Sequence, residues 1–147
     1  MPSQIKVDEI KNVAGQYEIK TNTFKGQTTA GSIAVQGEGT NTTNLQQGLS
    51  KCWINYDATA SSDYTRDSFN VSSTSDNNTG EHDVLFTTVM GNVNFTSVTN
   101  GHRDDNQSIS TFQYGVATKF RFKLNAFSSG TNTDTDAAFA AVFGDLA

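Results

Sequence analysis

The feature that most constrains the fold is a strictly alternating segment near the end of the chain, KFRFKLNA at Lys119–Ala126. Basic and apolar side chains alternate along it in the order Lys119, Phe120, Arg121, Phe122, Lys123, Leu124. Because successive side chains of a strand point to opposite faces, this period of two predicts an antiparallel strand with one buried and one solvated face. Segments with the 3.6-residue period of an amphipathic helix are nearly absent. The sequence therefore indicates an all-β protein.

The composition agrees with many short strands joined by turns. The 147 residues include 20 Thr, 14 Ser and 14 Asn, which favour strands and turns, and 10 Phe, which can supply a buried core. One helical turn is predicted at residues 45–48. Further strands are predicted at residues 5–11, 16–21, 32–36, 51–56, 68–73, 83–90, 93–99 and Ala137–Phe143, with a turn at residues 76–80. This spacing predicts an antiparallel β-sandwich or jelly-roll-like domain.

Residues 37–44, GEGTNTTN, have no apolar side chain and are interpreted as a linker. The predicted organisation is a β-rich segment at residues 1–44 and a sandwich at residues 45–147. Three short strands with few large apolar residues do not form a stable core alone. We therefore expect residues 1–44 to pack against the rest of the chain or against another subunit.

The largest apolar residues of the predicted strands are the candidate core. They are Trp53, Phe69, Phe86, Phe120, Phe122, Leu124 and Phe139. The alternation at residues 51–56 places Cys52, Ile54 and Tyr56 on the face opposite Trp53. In the last strand, Phe139 shares a face with residues 141 and 143. Cys52, the only cysteine, is expected to be a small buried thiol and excludes an internal disulfide.

Charge and hydropathy exclude several classes of function. The net charge of −5 leaves no basic footprint for nucleic acid. No apolar run has the length of a signal peptide or of a membrane span, so no membrane insertion is expected. We expect synthesis and folding in the cytoplasm of the producing cell.

The sequence contains no motif for metal or cofactor binding, and we predict neither. His82 and His102 lie twenty residues apart, outside any HxH or HExxH spacing, and are interpreted as a solvated strand residue and a turn residue. The acidic pairs at residues 104–105 and 134–136 lack the context of a calcium-binding loop and are interpreted as polar loops.

Four carboxylates raise the question of a glycosidase, namely Asp57, Asp63, Asp67 and Glu81. Such an enzyme needs two carboxyl groups at a defined separation beside sugar-stacking aromatic residues. Trp53, in an alternating strand, is better interpreted as a core or subunit-contact residue. We predict no catalytic residue. The polar stretches at residues 59–66 and 101–106 are candidate recognition loops, with Tyr64, Arg66, His102 and Arg103 as candidate receptor-facing residues.

Several strings resemble a domain that recurs in tail-fibre and other virion proteins of tailed bacteriophages, especially marine ones. These strings are GLSKCWINYD at residues 48–57, RDSFNVSS at 66–73 and DNNTG at 76–80 leading into residues 84–88. The ending AVFGD at residues 141–145 and the opening IKVDEIKN at residues 5–12 are similar as well. Two features depart from that family: the chain has no fibre shaft, and Cys52 stands where the family tends to have a small Ala-like residue.

The resemblance implies a β-structured component on the virion exterior, usually trimeric, that contacts other virion proteins. We expect a homotrimer held partly by residues 1–44, in a short tail fibre, fibre tip or other appendage, with loops available for a host-surface glycan. A capsid decoration protein is one alternative. A carbohydrate-binding or carbohydrate-degrading module acting on host polysaccharide is the alternative from another class.

Overall fold

The computed structural model describes residues 33–36, 40–60, 65–102 and 108–147, together with Ala14 and Thr23. Of these residues 60% lie in strands and 4% in helix, which confirms the all-β prediction. In chain order the described elements are β1 (Ala34–Gln36), β2 (Thr42–Asn44), α1 (Leu45–Gly48), β3 (Cys52–Tyr56), β4 (Thr65–Phe69), β5 (Val71–Asn78), β6 (Glu81–Phe86), β7 (Thr96–His102), β8 (Ser108–Val116), β9 (Lys119–Ala126) and β10 (Ala137–Phe143).

Strands β3 to β10 form one antiparallel sheet in the order β4-β3-β10-β7-β8-β9-β6-β5, while β1 and β2 form a separate hairpin. Strands β7 and β8 share the single residue pair Gly101–Ser108, and the rings of Tyr56 from β3 and Phe122 from β9 are in contact, so the large sheet folds on itself between β7 and β8. The half β4-β3-β10-β7 therefore faces the half β8-β9-β6-β5, and the two halves form the predicted sandwich. The jelly-roll connection stays a prediction.

A corner at Asn70 carries the chain from one half of the sandwich to the other. Asn70 separates β4 from β5 and has a positive φ of 59°, a conformation that Asn adopts more readily than most residues. Its side-chain Nδ2 donates to the carbonyl oxygens of Lys51 at 2.9 Å and Thr88 at 3.0 Å. Its Oδ1 accepts from the Thr88 amide at 2.6 Å. These three bonds hold the corner in place.

The core fills the space between the two halves. Its inward-facing side chains are Cys52, Ile54 and Tyr56 from β3, Val84 and Phe86 from β6, Phe120, Phe122 and Leu124 from β9, and Ala138, Ala140 and Val142 from β10. The rings of Tyr56 and Phe122 meet edge to face across the interface, with centroids 5.8 Å apart. Small side chains on β10 leave room for these rings. The predicted core residues Phe86, Phe120, Phe122 and Leu124 are all buried here.

The assignment of the other three predicted core residues was wrong. The exposed fractions of Trp53, Phe69 and Phe139 are 38%, 51% and 43%. These side chains lie on the outer face because their strands turn the opposite face inward: β3 buries Cys52, Ile54 and Tyr56, as the alternation predicts, and β10 buries its small residues. Since the side-chain period is two, choosing the wrong face of a strand misplaces every residue on it.

Other sequence predictions vary in accuracy. The bounds of β9 and β10 and the helical turn at residues 45–48 are confirmed, and β3 differs by one residue. The single strand predicted at residues 68–73 is interrupted at Asn70, and the turn predicted at residues 76–80 is confined to residues 79–80. Residues 42–44 of the predicted linker form β2, and β8 was not predicted. The strands predicted at residues 5–11 and 16–21 lie outside the described residues.

Candidate functional site: the apolar outer face

The outer face of the half that contains β6 and β9 carries charges paired across the strands. In the register of these strands, Glu81 lies opposite Lys123 and Asp83 lies opposite Arg121. The Lys123 ammonium lies 3.4 Å from the Glu81 carboxylate, and the Arg121 guanidinium also packs over the Tyr114 ring at 5.1 Å. We call this surface the charged face. The charged side chains of this face form ion pairs with one another.

Asp83 is the centre of the charged face. Its buried carboxylate accepts hydrogen bonds from Arg121 Nε at 2.6 Å, Arg121 Nη2 at 3.2 Å and Lys119 Nζ at 2.7 Å. Burial acts to raise the pKa of Asp83, but these bonds and the two positive charges outweigh it and lower that pKa. Such a satisfied network needs no partner from another molecule.

The outer face of the half that contains β4, β3, β10 and β7 is apolar instead of charged. Pairing of β4, β3, β10 and β7 places Phe69, Trp53, Ala141 and Val98 in one row across all four strands. Phe139 lies two residues from Ala141 on the same face. We call the surface formed by these five residues the apolar face. The exposed fraction of Val98 is 65%, so the row is open to solvent within the described chain.

A shallow groove of about 380 Å³ runs over the apolar face beside Trp53 and Phe139. Ala141, the smallest residue of the row, is among the residues that line it. Asn55 and Asn100 flank Phe139 on the neighbouring strands. Asn55 Oδ1 is buried without a hydrogen-bond partner, so the groove combines two exposed aromatic rings with the exposed carboxamide of Asn100.

Charge is sparse on this side of the sandwich. The register places one carboxylate, Asp67, and the imidazole of His102 on the outer surface of β4, β3, β10 and β7, and the exposed Arg66, at the irregularity of β4, pairs with Asp57. Exposed apolar patches bordered by polar residues mark interaction surfaces, and the centres of such interfaces are depleted of charge and enriched in aromatic residues. The apolar face is therefore the candidate functional site. The alternation in β3 pointed to it, since it placed Trp53 opposite the core residues.

The predicted receptor-facing residues are only partly described. Tyr64 and Arg103 lie outside the described residues. Arg66 lies at an irregularity of β4, where its guanidinium Nη2 is 2.7 Å from the Asp57 carboxylate, and His102 is exposed at the end of β7. Both lie at the same end of their half of the sandwich. Because β4 and β7 are three strand spacings apart, roughly 14 Å separates them.

Two of the four carboxylates considered for glycoside hydrolysis pair with basic side chains of the chain. Asp57 pairs with Arg66, and Glu81 belongs to the charged face. Burial acts to raise the pKa of Asp57, but hydrogen bonds from Thr59 and Arg66 outweigh it and lower that pKa. Asp67 lies on β4, and Asp63 is outside the described residues.

His82 was interpreted as a solvated strand residue, and that interpretation was wrong. It is fully buried, with its ring beside Phe122 and its Nδ1 3.1 Å from the Tyr56 hydroxyl. Its Nε2 lies 3.3 Å from Asp134 Oδ1 without forming a hydrogen bond. Asp76 Oδ1 is 3.9 Å from Nδ1. Period-two alternation explains the burial, since His82 lies two residues before the core residue Val84.

Burial gives His82 a pH-dependent effect on stability. Desolvation lowers its pKa below the ordinary 6.5, although Asp76, Asp134 and Asp83 act to raise it. Below about pH 6.5 the unfolded chain binds a proton that the folded chain does not, so stability is greatest above that pH and declines as pH falls toward the folded-state pKa. The limiting slope for one group is about 1.4 kcal/mol per pH unit.

Urea unfolding above and below pH 6.5 measures this effect. We expect the loss of stability to persist in His102→Gln, where the replaced imidazole is exposed, and to be largely removed in His82→Gln. An unchanged pH dependence in His82→Gln would assign the effect to another group.

The described residues contain no cluster of three His, Cys, Asp or Glu able to hold a metal ion. Cys52 is buried, as predicted, and burial raises the pKa of its thiol to about 12. A thiol with such a pKa is almost entirely protonated at neutral pH and a poor nucleophile. Within the described part of the chain, no helix combines the length and apolar character needed to cross a membrane.

Comparisons with protein families, with curated proteins and with solved structures find no match to this chain.

Proposed function

We propose that this chain is a non-enzymatic structural protein of a tailed-bacteriophage particle, located on the exterior in a short tail fibre, a fibre tip or a similar appendage. The observation that carries the proposal is the contrast between the two outer faces of one small sandwich. On the charged face the ionic side chains pair with one another, whereas the apolar face exposes Trp53, Phe69 and Val98 to solvent. A subunit of an assembly needs this asymmetry, with one side suited to water and the other to a neighbour.

The sequence resemblance supports the assignment to a tailed-bacteriophage particle. The strings at residues 48–57 and 66–73, which include Trp53 and Phe69 of the apolar face, are those that resemble virion proteins of tailed phages. A homotrimer held partly by residues 1–44 remains part of the proposal. In such an assembly, loop residues such as Arg66 and His102 are presented in several copies, and weak contacts with a host surface add through multivalency.

Quantitative mass spectrometry of purified particles tests the proposed function. We expect the chain at a fixed copy number relative to the major particle proteins, retained after density-gradient purification and accessible to a surface-labelling reagent. Loss of the chain on purification, or a copy number that varies between preparations, would contradict a structural role. Imaging of labelled particles then separates an appendage from a capsid decoration protein.

One observation favours a second function, the binding of a host polysaccharide. Trp53 and Phe139 are exposed beside the exposed carboxamide of Asn100. Aromatic faces stack on sugar rings, and carboxamides can both donate to and accept from hydroxyl groups. A glycan array with the native chain and Trp53→Ala tests this function, with Phe127→Ala as the control because Phe127 is an exposed aromatic residue outside the apolar face. A reducing-sugar assay on the same glycans separates binding from cleavage.

A further inference from the structure

We infer that a polar pocket at one end of the sandwich binds an amino sugar of a host-surface glycan through its protonated amino group. The inference rests on the proposed role at the host surface and makes it more specific, because it names a site and a chemical class of ligand. The pocket has a volume of about 460 Å³. Its walls carry two partly exposed carboxylates and three threonine hydroxyl groups, which belong to Asp76, Asp134, Thr59, Thr79 and Thr133.

The pocket lies at the end of the sandwich that carries a candidate recognition loop. Thr59 follows β3 closely and belongs to the loop predicted at residues 59–66. The N-terminal hairpin and α1 join β3 at its other end, where the Lys51 N–H donates to the Val142 carbonyl oxygen at 2.7 Å. The five residues of β3 span roughly 17 Å between these two ends. A subunit attached through residues 1–44 therefore presents the pocket at its free end.

The two carboxylates of the pocket are not neutralised within the described part of the chain. Asp76 and Asp134 form no salt bridge with Lys or Arg there, and the titratable group in contact with both is His82, at 3.9 Å and 3.3 Å. Burial lowers the pKa of His82, so this imidazole is largely uncharged at neutral pH. The carboxylates of the charged face, in contrast, each contact a basic side chain. An ammonium group that enters the pocket would meet two carboxylates that lack a positively charged partner, and charge-assisted hydrogen bonds of this kind are strong.

His82 lies directly behind the pocket and provides an independent indication of a ligand. Its side chain is fully buried, and its Nε2 faces Asp134 Oδ1 at 3.3 Å while forming no hydrogen bond. A buried polar atom without a partner is costly, so most such atoms in folded proteins are satisfied by protein groups or by ordered water. A polar ligand beside Asp134, or a water molecule that the ligand orders, can supply the missing partner.

The size and lining of the pocket favour a small polyhydroxylated molecule over a bare cation. Pockets for small organic ligands have volumes of about 300–1,000 Å³, and this pocket lies within that range. Calcium instead needs a compact shell of about six to eight oxygen ligands, and the described residues hold no cluster of three metal-binding side chains. Threonine hydroxyls can donate to and accept from sugar hydroxyls, while the carboxylates select an ammonium group. An amino sugar combines both kinds of group in one ring.

Isothermal titration calorimetry of the full chain with a matched pair of glycans tests the inference. The probes are a tetramer of β-1,4-linked glucosamine and its fully N-acetylated counterpart, which has the same backbone and no positive charge. We expect the glucosamine tetramer to bind, and N-acetylation to weaken binding at least about tenfold, because it removes the ammonium groups. Added salt should weaken binding of the glucosamine tetramer, since it screens partly exposed charges. Equal binding of the two tetramers, or binding of neither, would overturn the inference.

The variants Asp76→Asn and Asp134→Asn locate the binding site. Asn retains the shape of Asp, and at position 134 its carbonyl oxygen can still accept the hydrogen bond from the Gly80 N–H. Each variant should bind the glucosamine tetramer at least about tenfold more weakly than the native chain. Asp145→Asn is the control, because it removes the same charge from an exposed residue at the opposite end of the sandwich. An equal loss in Asp145→Asn would assign the binding to overall charge and overturn the inference.

Circular dichroism verifies that the variants are folded. If Asp134→Asn does not fold, Asp76→Asn provides the test, because Asp76 makes no hydrogen bond to the turn at Gly80. Trp53→Ala should bind the glucosamine tetramer as the native chain does. A loss of binding in Trp53→Ala with native binding in Asp76→Asn would overturn the inference and assign sugar recognition to the apolar face.

Further outcomes separate the pocket from a metal site and from the structural role. Calcium chloride that binds the native chain but not Asp134→Asn, with no binding of either tetramer, would overturn the inference and assign the pocket to a metal ion. A chain that binds neither tetramer but is present at fixed copy number in particles would overturn the amino-sugar site and leave the structural role in place. A chain that binds the glucosamine tetramer through Asp76 and Asp134 but is lost from purified particles would support the site and contradict the structural role.

Discussion

Replacing Phe122 by Ala is expected to lower the free energy of unfolding by about 3–5 kcal/mol, because it removes a buried ring and leaves a cavity. The exposed fraction of Phe122 is 2%, and its ring contacts those of Tyr56 and Phe120 at centroid distances of 5.8 and 6.2 Å. This ring joins the two halves of the sandwich, so neighbouring side chains cannot easily collapse into the space. Urea unfolding followed by circular dichroism measures the change.

Phe127→Ala is the control for this variant. Phe127 follows β9 by one residue and is 68% exposed, so the same truncation should change stability by about 0.5 kcal/mol or less. Equal losses in the two variants would mean that Phe122 is not part of a close-packed core.

Replacing Gly80 by Ala is expected to cost about 2–5 kcal/mol, through backbone strain and steric overlap. Gly80 has a φ of +70°, and a Cβ placed there would lie 2.5 Å from the carbonyl oxygen of Leu124 and 2.8 Å from the amide nitrogen of Thr133. Both are backbone atoms that cannot rotate away. Gly80 also donates its N–H to Asp134 Oδ1 at 2.6 Å, so a shift of the turn would weaken this bond as well.

The variant Gly130→Ala measures the cost of the left-handed backbone conformation without the cost of steric overlap. Gly130 has a similar φ of +68°, but nothing lies within 4 Å of a Cβ built there. Its replacement should cost only the left-handed backbone term, about 1–2 kcal/mol. Chemical denaturation measures the free energy of unfolding of both variants. Equal losses would contradict the prediction, because they would mean that the turn at Gly80 shifts enough to remove the overlap.

The sequence predicts elements well where side-chain period and burial agree. Lys119–Ala126 has one charged and one apolar face along its whole length, and its observed bounds match the prediction. Strand β8 was missed because its apolar residues do not form one continuous face, although Phe112, Tyr114 and Val116 are spaced by two. The register of β8 shifts between Phe112 and Tyr114, so Phe112 lies opposite the core residue Phe122 and Tyr114 lies opposite Arg121 of the charged face.

The alternation in β3 separates Trp53 from the core residues, but the rest of the candidate site was missed because apolar character alone does not tell which face of a strand is covered. In β10, the larger residue Phe139 lies outside, while Ala138 and Ala140 lie inside. This choice depends on the opposite half of the sandwich, which fills the interior with the rings of Tyr56, Phe120 and Phe122. The information is tertiary, and no local pattern in β10 contains it. His82 differs, because its spacing of two residues from Val84 already places it on the core face, and Tyr56 supplies a hydrogen-bond partner there.

We propose that this chain is an exterior virion subunit that turns its apolar face toward protein and its charged face toward water. A side-chain-resolution reconstruction of intact particles measures this directly. We expect a β-sandwich at the particle surface with Trp53 and Val98 covered by a neighbouring protein, and with Arg121 and Lys123 facing solvent. Particles that lack the chain, or in which every copy leaves Trp53 open to solvent, would contradict it.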